Sequence, residues 1–266
     1  MPFGPIAELQ ERLRRDVLDG RGDETLLLLE HHPVITLGRS AEPGHVLAAA
    51  PELARRGISL HRASRGGDVT YHGPGQLVGY PVVRLDRGVV GHVRAMADGL
   101  IQVLAGLGIA ATWRRDAPGL WVQGPRGETR AEARTEARTE AKICSFGVNV
   151  HRRVAVHGFA LNVAVDLDAF GLIIPCGLPG VAMTSIDRLV SGAAATRPLT
   201  PERLAGEVAS ALGRSFRRDF EVVDPARLFR TEQEDQGDAE CASGTPAMGS
   251  HPIAGERVDD HGRDQI

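Results

Sequence analysis

The sequence predicts a mixed helix-and-strand fold built around one sizeable core, and three observations carry that prediction. Apolar residues recur at helical spacing in residues 6–18 (Ile6, Leu9, Leu13, Val17) and 91–107 (Val93, Met96, Leu100, Val103, Leu104, Leu107). Residues 142–150 and 154–165 alternate with the period of a strand. The chain of 266 residues is 42% hydrophobic, enough for one such core or for a domain with appendages.

In chain order, the helix at 6–18 is followed by two β-like runs, 25–30 and 34–38, separated by His31-His32-Pro33. Neighbours in a strand point to opposite faces, so the two histidines suit a strand-end turn better than a metal site. Residues 45–57 suggest a helix closed by Gly57, with a strand at 58–62 and another at 77–83. Gly108 closes the helix at 91–107, and strands are expected at 109–113 and 119–122. His151-Arg152-Arg153 suits a hairpin turn, and 166–170 a short helix. Thr200-Pro201-Glu202 opens a helix over 200–216 with Leu204, Val208 and Leu212 on one stripe, and a last strand is expected at 220–223.

Two stretches fall outside this pattern. Residues 130–141 repeat Glu-Ala-Arg-Thr, which on a helix stacks Glu132, Glu136 and Glu140 on one line and Arg130, Arg134 and Arg138 on another. Like charges at that spacing disfavour a helix, and no apolar face would dock it. The expectation is a solvated low-complexity insertion at about 124–141; deleting residues 130–139 should leave the function of the rest of the chain nearly unchanged. Residues 231–266 hold nine acidic residues against Arg257 and Arg263 and show no periodicity, the signature of a disordered tail. Residues 1–230 then form the folded domain, with net charge +4 inside an overall −3. That mildly basic body suits an acidic partner, though it is also ordinary for a soluble domain.

Composition excludes several classes. Aromatic content of 4% argues against a stacking platform for single-stranded nucleic acid. No apolar run approaches ~18 residues, so no membrane span is expected. Cys144, Cys176 and Cys241 are odd in number and far apart, which fits a reducing compartment rather than a disulfide framework. Glu8, Glu11 and Asp16 argue against a transit peptide, and a cytoplasmic protein is expected.

Two stretches carry chemistry. In Ile173-Ile174-Pro175-Cys176-Gly177-Leu178 a thiol sits between a helix breaker and a permissive glycine. A thiol on such a turn can attack a carbonyl, with nearby backbone N–H groups free to hold the oxyanion; the alternative is a buried structural cysteine. Residues 65–76, Arg-Gly-Gly-Asp-Val-Thr-Tyr-His-Gly-Pro-Gly-Gln, flank a β-like core with glycines and match no phosphate-loop or dinucleotide pattern. They suit close approach of a ligand, or else two glycine-rich turns around an ordinary strand. Read alone, Lys142 is a surface lysine at the end of a charged loop. His72 and His157 are structural histidines or a base for Cys176 in a Cys/His hydrolase, and Asn162 bridges backbone at a strand end.

Four motifs in sequence, Arg65 to Pro81, Lys142-Ile-Cys-Ser-Phe-Gly147, His157-Gly-Phe-Ala-Leu-Asn-Val163 and Ile174-Pro-Cys-Gly-Leu178, resemble the lipoyl(octanoyl) transferases over about residues 6–225. The resemblance implies the α+β fold of the biotin and lipoate ligases, with mixed β-sheets, flanking helices and a single catalytic domain. It implies octanoyl transfer from acyl carrier protein to a lysine of lipoyl domains, those of 2-oxoacid dehydrogenase complexes and the glycine cleavage H protein. An acyl-thioester intermediate on Cys176 is implied, with no cofactor, metal or ATP. Lys142 would hold the thiol as thiolate and handle protons. Arg65, Gly66, Gly67, Asp68, Val69, Thr70, Tyr71 and His72, with Ser145, Phe146, Gly147, Gly158, Phe159 and Ala160, would line the acyl pocket.

Three departures from the family pattern stand out. Cys144 replaces a small alanine and is expected on the same strand face as Lys142, packing in the core, crowding the pocket or offering a second thiol. The insertion ends directly at Lys142. The chain starts without the strand that usually precedes the first helix, which suggests a misassigned start or an uncovered edge. Competing readings are an ATP-dependent lipoate or biotin ligase, a non-catalytic acyl- or lipoyl-domain-binding protein on the same scaffold, and a thioester hydrolase.

Overall fold

The computed structural model describes residues 1–123, 140–190 and 198–229. It divides into residues 1–222, which carry every element discussed below, and residues 223–266, whose described part is a single 3-10 turn at Pro225–Phe229. Most of the expected insertion and the whole acidic tail lie outside the described residues.

The amphipathic spacing at the start becomes helix α1 (Phe3–Asp19), ended by Gly20 in the left-handed region at φ 71°, where its N–H returns to Asp16 and Val17. Strands β1 (Thr25–Leu29) and β2 (Val34–Leu37) follow. The helix expected at 45–57 is only α2 (Ala50–Arg55). Pro51 suits a helix start. The residues before it are drawn out instead, since Val46 pairs with Ile173 and Leu47 donates its N–H to Leu172. Then come β3 (Ser59–Arg62), β4 (Val69–His72), β5 (Gln76–Val82) and helix α3 (Gly88–Gly106). Strands β6 (Ala111–Arg114) and β7 (Gly119–Gln123) form a hairpin.

The two alternating runs become β8 (Glu140–His151) and β9 (Val154–Asn162), joined by a turn in which Arg152 and Arg153 both take positive φ. Glu140 and Ala141, expected at the end of the insertion, already belong to β8. After a 3-10 turn at Leu167–Leu172 come the two-residue β10 (Ala182–Met183), α4 (Ile186–Leu189) and α5 (Pro201–Phe216). Thr200 caps α5 by accepting the Arg203 N–H. The strand expected at 220–223 does not form: those residues have no regular structure, and Val222 is 92% exposed with no partner strand among the described residues.

The larger sheet has the order β1-β5-β9-β8-β7-β6, antiparallel throughout, with β10 added parallel to the start of β8. Helices α3 and α5 cover one face, packing Met96, Leu100, Leu104, Leu204, Val208 and Leu212 onto Leu120, Ile143, Phe159 and Leu161. Sheet β3-β2-β4 has its own core, where Ile35, Val69 and Tyr71 meet Leu53, Phe170, Leu172 and Ile173. The two sheets meet where the Gly66 N–H donates to the Val148 carbonyl. The site lies at that junction.

Candidate active site

Cys176 stands on a tight turn at Pro175–Gly177 and adopts φ 57°, ψ 20°, with Gly177 after it at φ 68°. A left-handed non-glycine residue costs about 1–3 kcal/mol and persists only where its surroundings fix it. Here residues 42–48 act as a strap. Leu47 donates to Leu172 (2.8 Å), Ile174 donates to the His45 carbonyl (2.8 Å), and the His45 imidazole is paired through Nδ1 with Asp68. Asp68 also accepts the Glu42 N–H at 3.3 Å. A Cβ at Gly177 would lie 2.5 Å from Asp68 Oδ2, so the strap closes onto a residue that has none. The turn spends the N–H groups of Gly177 and Leu178 on the Ile174 and Pro175 carbonyls. The two main-chain donors that follow the thiol are therefore not free for an oxyanion.

Lys142 is not a surface lysine. It is 1% exposed, and its Nζ lies 3.2 Å from Cys176 Sγ, with Ser145 Oγ 3.8 Å from the same sulfur. A β-bulge aims both side chains at the thiol. In β7 the consecutive residues Leu120 and Trp121 face Cys144 and Lys142, so Ile143 is the extra residue. Parity therefore shifts along β8, putting Lys142 and Ser145 toward Cys176 while Ile143 and Cys144 enter the helix-covered core. The expectation that Cys144 shares the face of Lys142 is thus corrected: its thiol is fully buried on the other side, and burial pushes its pKa up. Gly119 opens the path for the lysine. A Cβ there would press on Lys142 Cε and stand 2.6 Å from the Cys144 carbonyl.

A cavity of about 430 Å³ opens at this pair, a size suited to a small ligand. The predicted residues Arg65, Gly66, Gly67, Asp68, Thr70 and His72 line it, as do Ser145, Phe146, Gly147, Gly158, Phe159 and Ala160. Val69 and Tyr71 do not, because alternation along β4 turns them into the core of the small sheet, where Tyr71 meets Phe170 edge-on at 5.6 Å. Phe3, Tyr80 and Trp113 also line it without having been expected there, and so does His157, which one reading had offered as a base for Cys176.

The polar groups of the wall are turned on one another. Arg65 gives its Nη2 to the Thr36 carbonyl (2.6 Å) and hydroxyl (2.8 Å). His72 lies between Gln76 Oε1 (2.8 Å) and Thr36 Oγ1 (3.4 Å), Gln76 reaches Asn162 (2.9 Å), and Asn162 donates to the Thr184 carbonyl (2.9 Å). Asn162 therefore links a side chain on β5 to the chain beside β10. His157 Nε2 meets Ser64 Oγ (2.9 Å), and His31 Nε2 meets Tyr80 OH (2.8 Å). Burial lowers His72 and His157 to about 3 and His31 to about 4, and it also lowers Arg65. The imidazoles are neutral at pH 7, and those of His72 and His157 bond to Thr36, Gln76 and Ser64 rather than to Cys176. A Cys/His hydrolase arrangement is therefore not the one built here. Sequence reasoning missed Thr36, His45, Gly119 and Trp121, which act through spacing and packing that no motif encodes.

Solved structures share this architecture at low sequence identity. A protein described as a lipoate protein ligase from T. acidophilum, solved with bound lipoic acid, aligns over 90% of each chain with TM-score 0.59 and 15% identity. Lipoate-protein ligase A bound with ATP aligns over the same shares with TM-score 0.59 and 18% identity. The fold is thus that of the lipoate-protein-ligase class, α+β in a single catalytic domain. The family model described as "Lipoyl protein ligase A/B catalytic domain" matches residues 6–213, and the chain belongs to that family. Its relatives include the octanoyltransferase of Acidobacterium capsulatum, 42% identical over 79% of this chain and 84% of that one. The octanoyltransferase of Chloroflexus aggregans is 43% identical over 67% and 76%. The chain is an acyltransferase working in lipoyl or octanoyl transfer. Among the described residues no helix is long and apolar enough to cross a membrane.

Proposed function

We propose that this chain carries an octanoyl group from the thioester of acyl carrier protein to a lysine of a lipoyl domain, by way of a thioester on Cys176. The observation that carries the reading is the Lys142 Nζ to Cys176 Sγ contact of 3.2 Å at the wall of a largely apolar cavity. In the first half-reaction the Cys176 thiolate attacks the donor carbonyl. The C–S bond to the carrier breaks, and the leaving thiolate takes a proton from the Lys142 ammonium. In the second, the acceptor amine attacks the acyl-Cys176 carbonyl, its proton passes to neutral Lys142, and the Cys176 thiolate leaves. The ion pair is thereby restored. Thioester exchange is near neutral and amide formation is downhill, so the cycle runs without ATP. With Gly177 and Leu178 engaged in the turn, this reading assigns the oxyanion to Ser145 Oγ and Lys142 Nζ, both of which lie beside Cys176 Sγ.

The acceptors in this reading are the lipoyl domains of 2-oxoacid dehydrogenase complexes and the glycine cleavage H protein. A T. acidophilum ligase of the same fold, aligned here at TM-score 0.56, was studied with its E2 lipoyl domain. Intact-mass analysis after mixing with octanoyl carrier protein tests the reading: an octanoyl adduct should form on Cys176 without ATP and move to an acceptor domain. Transfer that persists in Cys176→Ser, or that requires ATP, refutes it.

A further inference from the structure

We infer that Trp121 is a positioning residue that stabilises the charged form of Lys142 through the face of its indole. This rests on the acyl-Cys176 reading and adds to it the element that holds the cation in place. Lys142 is buried, and among the described residues the one hydrogen bond of its Nζ runs to Cys176 Sγ. Among the described residues no carboxylate hydrogen-bonds or ion-pairs with it. Its cross-strand partner is Trp121, whose ring centroid lies 5.4 Å from Nζ, within the range of an attractive cation–π contact. The ring is fixed by Nε1 donating to the Ala117 carbonyl at 2.9 Å. It is 5% exposed and forms no part of the cavity wall, so it acts on substrate only through the lysine.

The charged neighbours leave this role to the ring. Arg65 and Asp68 come from the glycine-rich segment, and Asp68 is already paired with His45. Arg115 and Asp116 stand on the cavity rim. Arg114 lies 5.0 Å from the same indole, but it is ion-paired with Asp116 and Glu140, which offset its charge. Cys144 faces the core, and Ser145 is neutral. A buried ammonium and thiolate both lose hydration, and the indole face favours the cation alone. Removing the ring therefore shifts the pair toward its uncharged form, amine and thiol, so that a thiolate appears only at higher pH.

The experiment follows alkylation of Cys176 by iodoacetamide against pH in the full chain, read at the Cys176 peptide by mass spectrometry. Trp121→Leu should move the midpoint up by about half a pH unit to one and a half units. Trp121→Phe, which keeps a weaker ring, should fall between Trp121→Leu and the unsubstituted protein. Steady-state transfer should lose kcat with KM for the acyl donor unchanged. A folded Trp121→Leu whose profile overlays that of the unsubstituted protein overturns the inference while leaving the thiol–lysine pair intact. If Trp121→Leu does not fold, the Trp121→Phe profile decides in the same way. An unsubstituted profile identical to that of Lys142→Met would instead overturn the pair itself.

Discussion

Gly119→Ala isolates the geometry of the lysine from its chemistry. The added methyl carbon would stand 2.6 Å from the Cys144 carbonyl and 3.2 Å from Lys142 Nζ, with Cε nearer still. The carbonyl belongs to β8 and cannot retreat without moving the strand, so the lysine and the strand that carries it must both shift. Overpacking of this kind costs about 1–3 kcal/mol. For a domain of this size that lowers Tm by about 2–4 °C per kcal/mol. The kinetic effect should be larger, because misplacing a reacting group by about 1 Å costs on the order of 100-fold. Single-turnover acylation with octanoyl carrier protein should slow by about that factor. Gly106→Ala in α3 is the control, since nothing lies within 4 Å of a Cβ there and alanine suits a helix better. An unchanged Tm together with acylation within about twofold of the unsubstituted rate would refute the claim that the lysine needs an open path over Gly119.

Cys144→Ala should leave acylation within about twofold and lower Tm by a few degrees, because that thiol fills core rather than cavity; a large rate loss would place it in the chemistry. Asp68→Asn removes the carboxylate charge that meets His45 beside the Cys176 turn. It should cost about 1–3 kcal/mol in urea unfolding and slow Cys176 alkylation, whereas unchanged alkylation would show that the strap does not hold the thiol. Acid should destabilise the fold well above the carboxylate range. His31, His72, His92 and His157 are lowered by burial to about 4, 3, 4 and 3, so below about pH 6.5 the unfolded chain binds protons that the folded one refuses. Their contribution is fully present above pH 6.5 and is lost as pH falls toward 3–4. The slope is about 1.4 kcal/mol per pH unit for each imidazole. Urea midpoints at pH 7, 6 and 5 that stay level would contradict the neutral, buried state of these rings.

Periodicity located nearly every long element, because the amphipathic stripes of α1, α3 and α5 and the alternation of β8 and β9 answer to one buried face each. It failed where tertiary pairing decides. Residues 46–49 have the composition of a helix, but Leu172 and Ile173 offer them backbone partners. The apolar residues near 222 have strand composition and no partner strand among the described residues. The site shows the same division. Cys176 was conspicuous between proline and glycine, whereas Lys142 gained meaning only from its place in a family motif, since a lysine after a charged repeat carries no mark of burial.

Val69 and Tyr71 were within reach of sequence reasoning, because a run of four strand residues cannot put all four side chains into one cavity. The bulge at Ile143 was not. Alternation counted from Lys142 assigns Cys144 and Phe146 to the lysine's face, and one inserted residue, visible only as two strands out of step, turns Cys144 into the core and Ser145 to the thiol. A lysine and a hydroxyl three residues apart cannot share one face of a regular strand. The irregularity that defeats prediction is therefore the feature that assembles the site.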